Sequence, residues 1–302
     1  MFTENQLSEI KKLISPEKKV VIITHYNPDG DAIGSALGLK HFLNNMGVEP
    51  TVLAPNDFPK FLKWMPDAKK VVIAEYKRKT AGEAIYKADV IFCLDFNAHN
   101  RIGILGDWLM KSWAKKILID HHQQPEDFDY VYSDVTIPAT CQMVYHFIEA
   151  LGREDLVDQN VAECLYTGIM TDTGGFRFRS TSATTHRIVA NLIEKGANPA
   201  MITSNTWDTN SVSRLHLLSL ILGRIELVKD GKVAVLYLKR EELKEFGFEK
   251  GDTEGFVNYG LSIAGTKMAA FFMEDLHEDY IKISFRSKDD VDTNAFARAH
   301  FN

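Results

Sequence analysis

No stretch of the sequence approaches the ~18 consecutive apolar residues of a membrane-spanning helix, so a helical membrane protein is not expected. The opening residues, MFTENQLSEIKKLI, read as a short amphipathic helix and lack the charged, apolar and small-residue order of a cleavable leader. Positive charge is not in excess either. The 35 Lys and Arg are outnumbered by 41 Asp and Glu, a formal net charge of −6. That gives no general attraction to nucleic acid and argues against duplex DNA as a partner, while leaving room for a local basic groove. Cysteine is scarce: Cys93, Cys141 and Cys164 lie inside apolar runs such as VIFCLD and form no CxxC pair. This excludes a disulfide framework and fits buried thiols in a reducing, cytoplasmic setting. Neither a G-x-S-x-G nucleophile turn nor a G-x-x-x-x-G-K-[ST] phosphate loop occurs. Internal repeats and low-complexity tracts are also missing.

What remains is an ordinary globular composition, 45% hydrophobic and 25% charged over 302 residues, enough for roughly two domains. Short Val/Ile/Leu runs alternate with helical patterns: KKVVIITH, PTVLAP, KKVVIAE, VIFCLDF and KKILIDHH. Their lack of strict alternation predicts strands buried on both faces, hence a doubly wound, mainly parallel α/β sheet. The pattern turns helical from about residue 138, in PATCQMVYHFIEALG, DQNVAECLYTGIMTDTGG and TSATTHRIVANLIEKG. We therefore read residues 1–195 as an N-terminal domain and 196–224 as a helical connector. Residues 225–302 read as a smaller α+β domain, opened by a hairpin turning at Asp230-Gly231 and closed by the strands TKMAAFFMED and DYIKISFRS.

Chemistry-bearing residues collect where the strands end. VVIIT runs into His25, followed by Asp29 and Asp31; VIFCL ends in Asp95; KILI ends in Asp120, His121 and His122; and Asp172 closes a helix before Gly174-Gly175. In open parallel sheets the ligand crevice lies at the C-terminal ends of the strands. Taken singly these residues have plainer explanations. An Asp after a strand is commonly a helix cap, and Asp31 has the place to cap the helix that follows it. A lone histidine such as His41 or His146 reads as structural. Taken together, so many carboxylates at one edge would repel one another and raise their pKa values unless cations were present. Imidazole and carboxylate ligands without thiolate suit a hard or borderline metal, Mn²⁺ ahead of Mg²⁺, Co²⁺ or Zn²⁺. Two ions ~3.5–4 Å apart, sharing one carboxylate, would activate a bridging solvent molecule for hydrolysis of a phosphate ester.

The stretches THYNPDGDAIGS, CLDFNAHNRIG, LIDHH and GIMTDTGGFRF resemble, in order and spacing, the four motifs of the Asp-His-His (DHH) phosphoesterase superfamily. Within it, nearly the whole chain is similar to the bacterial oligoribonuclease (nanoRNase) and 3′-phosphoadenosine-5′-phosphate (pAp) phosphatase branch. The resemblance implies that His25, Asp29 and Asp95 hold one ion and that Asp31, Asp95, His121 and Asp172 hold the other. His122 is implied to face the scissile phosphate, with Asp120 orienting the histidines. Arg286, next to Ser287 in SFRS, is implied to clamp a substrate phosphate from the second domain with its guanidinium fork. Phe176, Arg177 and Phe178 would either stack on and pair with a nucleotide or pack under the neighbouring loop. The branch usually continues with a Gly-rich phosphate-binding loop, so the second domain, ending in ARAHFN, is read as cut short before it.

The expected activity is thus two-metal hydrolysis of short RNA oligonucleotides, linear or cyclic dinucleotides and pAp, in a chain compatible with a homodimer. Three alternatives stay open. They are a manganese-dependent inorganic pyrophosphatase, a single-strand DNA exonuclease of the same superfamily, and a non-catalytic nucleotide sensor. The pyrophosphatase would want more basic residues in the second domain, the exonuclease a longer basic channel, and the sensor a broken ligand set.

Overall fold

The unalternated apolar runs form the strands they suggest. In a computed structural model, which describes residues 2–249, 251–288 and 291–301, six strands pair wholly in parallel. They are β1 (Val20–Ile23), β2 (Thr51–Ala54), β3 (Val72–Ile73), β4 (Val90–Leu94), β5 (Lys115–Asp120) and β6 (Tyr130–Ser133), in the order β3-β2-β1-β4-β5-β6. β1 and β4 are buried along their whole length, which is why neither shows polar alternation. The register sets Ile23 beside Cys93 and Cys93 beside Leu118, so His25, Asp95 and Asp120 stand level at one edge of the sheet.

Eight helices belong with this sheet: α1 (Glu4–Leu13), α2 (Gly30–Asn45), α3 (Arg78–Lys87), α4 (Ile104–Lys111), α5 (Thr140–Leu151), α6 (Gln159–Asp172), α7 (Ala183–Glu194) and α8 (Pro199–Trp207). Apolar residues of α2, α5, α6 and α7 join Ile22, Phe92, Leu94 and Ile119 in one core. Those of α3 and α4 cover Ile23, Ile91, Cys93 and Leu118 on the other face. The chain leaves β1 for α2 and β2 but leaves β4 for α4 and β5, so the winding reverses between β1 and β4, where open sheets bind ligands. The doubly wound fold expected from the sequence is the fold found. KKVVIAE yields only the two-residue edge strand β3, and a 3₁₀ turn at Ala68–Lys70 takes up its two lysines. β6 was not expected: its YVYS is half-buried at the opposite edge, where the apolar signal is weak. All three cysteines are buried and free. Among the described residues no helix is long and apolar enough to cross a membrane.

Close packing of α2 on α6 sets the position of the functional edge. Gly30, Gly34 and Gly38 recur every fourth residue of α2 and so share one face. A Cβ at Gly34 would lie 2.6 Å from the Cys164 carbonyl oxygen of α6, and one at Gly168 would lie 3.1 Å from the Asp31 Cα of α2 and 2.1 Å from Cys141 Sγ of α5. Only glycine allows this approach, and it brings Asp31 of α2 near Asp172 at the end of α6.

Residues from Thr209 onward form a second compact unit. It contains α9 (Val212–Gly223), β7 (Glu226–Val228), β8 (Val233–Leu238), α10 (Arg240–Glu245), α11 (Phe256–Leu261), β9 (Met268–Glu274), β10 (Ile281–Ser287) and α12 (Thr293–His300). The sheet order is β10-β9-β8-β7, with β8 and β9 parallel and the outer pairs antiparallel. Ala234, Leu236 and Leu238 alternate inward from β8 and meet Leu217 and Ile221 of α9, Phe256 of α11 and Phe271 of β9. The stretch read as a connector therefore comprises α8, which lies in the first unit, and α9, whose apolar residues join the core of the second.

Candidate metal centre

Each histidine at the sheet edge is oriented by a backbone or carboxylate partner. His25 Nδ1 is 2.9 Å from the Tyr26 carbonyl and His121 Nδ1 is 3.1 Å from the Ile137 carbonyl. A proton on each Nδ1 leaves both Nε2 atoms free, the arrangement of a metal-ligating imidazole. His122 differs: its Nδ1 meets Asp120 Oδ1 at 2.7 Å, and Asp120 is wholly buried at the end of β5. That pairing fixes the His122 ring, whose Nδ1 also lies 3.7 Å from Asp95 Oδ1.

The carboxylates come from four further points of the fold. Asp29 is the residue that caps α2, accepting from the N–H groups of Asp31 and Ala32 at 3.0 Å. Asp31 therefore does not cap its own helix. It lies in the first turn, 1% exposed, and accepts instead from the N–H groups of Thr140 at 2.5 Å and Cys141 at 2.8 Å, at the start of α5. Asp95 follows β4 with φ of +65°, a left-handed conformation that is uncommon outside glycine and is typical of functional positions. Its Oδ1 accepts from the Thr140 hydroxyl at 2.9 Å. Asp172 ends α6 just before Gly174 and Gly175, both of positive φ.

These groups converge in sets. His25 Nε2 lies 3.8 Å from Asp29 Oδ1 and 3.5 Å from Asp95 Oδ2. His121 Nε2 lies 3.4 Å from Asp95 Oδ1, 3.5 Å from Asp172 Oδ2 and 3.9 Å from Asp31 Oδ2. His25, Asp29 and Asp95 thus make one group able to hold a cation and Asp31, His121 and Asp172 make another, while Asp95, His121 and His122 make a third that draws His122 into the same cluster. Atoms bound at ~2.1 Å to a common ion sit about 3.0–3.5 Å apart, close to these separations and longer than a good hydrogen bond. Asp95 divides its two oxygens between the two groups.

The charge balance agrees with a site built for cations. Burial, together with the charges of Asp31 and Asp29, pushes Asp172 well above the usual carboxylate range. Burial and the neighbouring Asp95 push Asp31 up to about 7. Burial opposes charge on His121 too, but Asp95, Asp31 and Asp172 push it up to about 11. Asp29 and Asp95, facing the histidines, are held down instead, and a divalent cation would compete with protons for the raised carboxylates.

Thr140, which the sequence reading did not single out, touches two of the carboxylates. Its one sequence signal is PAT ahead of a helix whose N-cap, Ala139, has no capping side chain. The substrate-binding candidates are more scattered. Phe176 holds a left-handed backbone, with φ of +64°, and its ring packs against Tyr166 and His186, centroids 5.9 and 5.7 Å away. Arg177 is exposed and donates through Nε to the Gly174 carbonyl at 2.7 Å. Arg286, in the second unit, is exposed and lines a shallow pocket with Lys282 and Ser284. The Ser287 hydroxyl donates to the Val291 carbonyl at 2.6 Å. His41 meets the Pro66 carbonyl and His146 meets Glu149, both outside the metal groups.

The model of the DHH family, N-terminal domain, matches residues 19–169. Over 295 residues the chain is 25% identical to the bifunctional oligoribonuclease and PAP phosphatase NrnA of Bacillus subtilis, covering 97% of this chain and 88% of that protein. The protein of the same name from Thermus thermophilus is 29% identical over 293 residues, 96% of this chain and 82% of the relative. Among solved structures, an exopolyphosphatase-related protein from Bacteroides fragilis is 40% identical. It superposes with a TM-score of 0.93, covering 98% of this chain and 86% of the other.

Proposed function

The chain belongs to the DHH family, and from that premise we propose that it is a two-metal phosphoesterase that hydrolyses short RNA oligonucleotides and pAp. The reading is carried by one observation: Asp95 presents Oδ1 toward His121 and Oδ2 toward His25, so that a single carboxylate joins two cation-binding groups. His25, Asp29 and Asp95 would hold one ion, and Asp31, Asp95, His121 and Asp172 the other. Mn²⁺ suits this oxygen-and-imidazole set best. Bound there, the ions would supply an activated water and neutralise charge on the phosphate.

The chain's own residues do the rest. Asp120 accepts from Nδ1 of His122 and fixes the ring, and in the imidazolium form Nε2 would donate to the phosphate, where charge grows as the ester bond breaks. His122 is about one-third exposed while Asp95 is nearly sealed, so phosphate can reach the former and solvent is kept from the latter. Arg286 and Ser287 would hold a substrate phosphate from the second unit, and Arg177, with Phe176 below it, would contact the nucleotide. The names of the Bacillus and Thermus relatives favour RNA ends and pAp over pyrophosphate.

The deciding experiment is a turnover panel with the purified chain and Mn²⁺, using pAp, the dinucleotide pApA, RNA of two to five nucleotides, single-stranded DNA and pyrophosphate. Fastest turnover of short RNA or pAp is expected. Fastest turnover of pyrophosphate or of long single-stranded DNA would replace the reading with the corresponding alternative. Binding of nucleotide without turnover of any substrate would leave a sensor.

A further inference from the structure

We propose that Thr140 is a positioning residue that fixes the rotation of the Asp95 carboxylate, and so sets how two cations share it. This rests on the two-metal reading above. The final torsion of an aspartate is broad and nearly two-fold, so side-chain preference alone does not decide which way its oxygens face. In this site the direction matters, because Oδ1 faces His121 at 3.4 Å and Oδ2 faces His25 at 3.5 Å. A rotation of the carboxylate would turn both oxygens away from their separate groups at once.

The Thr140 hydroxyl is placed to prevent that rotation. It donates to Oδ1 at 2.9 Å, and Thr140 is fully buried, so water does not compete for the bond. The donor is itself held in place. The N–H groups of Thr140 and Cys141 both point at Asp31, at 2.5 and 2.8 Å, in place of the cap that Ala139 cannot supply. One threonine therefore links the bridging carboxylate to a second carboxylate of the His121 group. A hydroxyl bound to one lone pair of Oδ1 leaves the other free for a cation. Removing the hydroxyl loosens the His121 side first, because Oδ1 is the oxygen that faces it.

The test uses the metal-stripped chain and two substitutions. Thr140→Val removes the hydroxyl and keeps the branched shape; Thr140→Ser keeps the hydroxyl. Mn²⁺ is titrated calorimetrically, and the exchange-coupled Mn²⁺ pair is followed by electron paramagnetic resonance. The parent should bind two ions as a coupled pair. Thr140→Val should weaken the second ion by about 10–100-fold, the range for lost partners of metal ligands, and lose the coupled signal. Thr140→Ser should keep both. Melting in metal-free buffer checks that the variants are folded, and Thr140→Ala replaces the valine variant if valine does not fit. A valine variant that binds a coupled pair as tightly as the parent, or a serine variant as weak as valine, overturns the role of Thr140. A parent chain that binds no Mn²⁺ overturns the two-metal reading itself.

Discussion

Replacing Gly34 by alanine adds one methyl group where α2 meets α6, and its effect can be worked out beforehand. The new Cβ would stand 2.6 Å from the Cys164 carbonyl oxygen, 3.0 Å from Cys141 Sγ and 3.1 Å from the Gly168 nitrogen, whereas ordinary contact begins near 3.4 Å. Two of these three atoms are backbone and cannot rotate aside, so the helices must part by about 0.8 Å, a gap that forfeits roughly a quarter to a half of the contact energy along the seam. Overpacking of this kind costs roughly 1–3 kcal/mol. Against it stands the roughly 0.5–1 kcal/mol by which alanine outdoes glycine inside a helix. The net runs from about zero to a loss of about 2.5 kcal/mol, or up to about 10 °C in melting temperature for a unit of this size. Gly82 in α3 supplies the control, because a Cβ there meets only the Trp108 ring, at 3.6 Å or more. Gly82→Ala should gain the helix term and melt slightly above the parent. Thermal melts of the three metal-free proteins make the comparison, and Mn²⁺ titration should show weaker binding in Gly34→Ala, since Asp31 and Asp172 move apart with their helices. A Gly34→Ala chain that melts with or above Gly82→Ala refutes the view that contact between α2 and α6 depends on glycine.

Three further outcomes follow from the same geometry. Asp95→Ala should strip metal from both positions, whereas Asp31→Ala should spare the His25 group; equal metal contents in the two purified variants would remove Asp95 from the shared position. His122→Ala should retain both metals and lose about 10²–10³ in kcat, as when a preorganised charge-stabilising donor is deleted; loss of the metals instead would make His122 a ligand. Asp67, although partly buried, is held at about 2 by Lys40 and Lys70, below its ordinary 3.8. Its ionised form thus adds stability above pH 3.8, and the contribution fades as pH falls toward 2, amounting to about 1 kcal/mol once solvent screening is allowed for. Asp67→Asn should melt below the parent at pH 7 and match it near pH 2, and a difference that persists in acid would rule out this pairing as its cause.

The strands that build the site were the easiest elements to read, for a physical reason. A strand buried on both faces cannot afford polar alternation, so β1, β4 and β5 stand out as unbroken Val/Ile/Leu runs, and the residues that end them fall on one edge by register alone. Long-range partners were not legible. The spacing of Gly30, Gly34 and Gly38 is plain in the sequence, but nothing there says that Thr171, Cys164 and Leu165 are what they touch. For the same reason the cap of α2 fell to Asp29 while Asp31 serves α5, more than a hundred positions downstream. Thr140 carries no ligand chemistry of its own, and only its distance from Asp95 gives it meaning.

The scatter of the metal groups along the chain has a consequence for biosynthesis. His25 follows the first strand and Asp172 ends the sixth helix, and between them the sheet must close and α5 and α6 must dock. A growing polypeptide therefore carries only fragments of the site until nearly all of the first unit has been made. Such fragments lack the full set of groups, so a two-cation centre can assemble only after α6 has docked. Once folding is complete the relation reverses. A cation that binds only the finished structure, present at a hundred times its dissociation constant, would add about 2.7 kcal/mol to its stability.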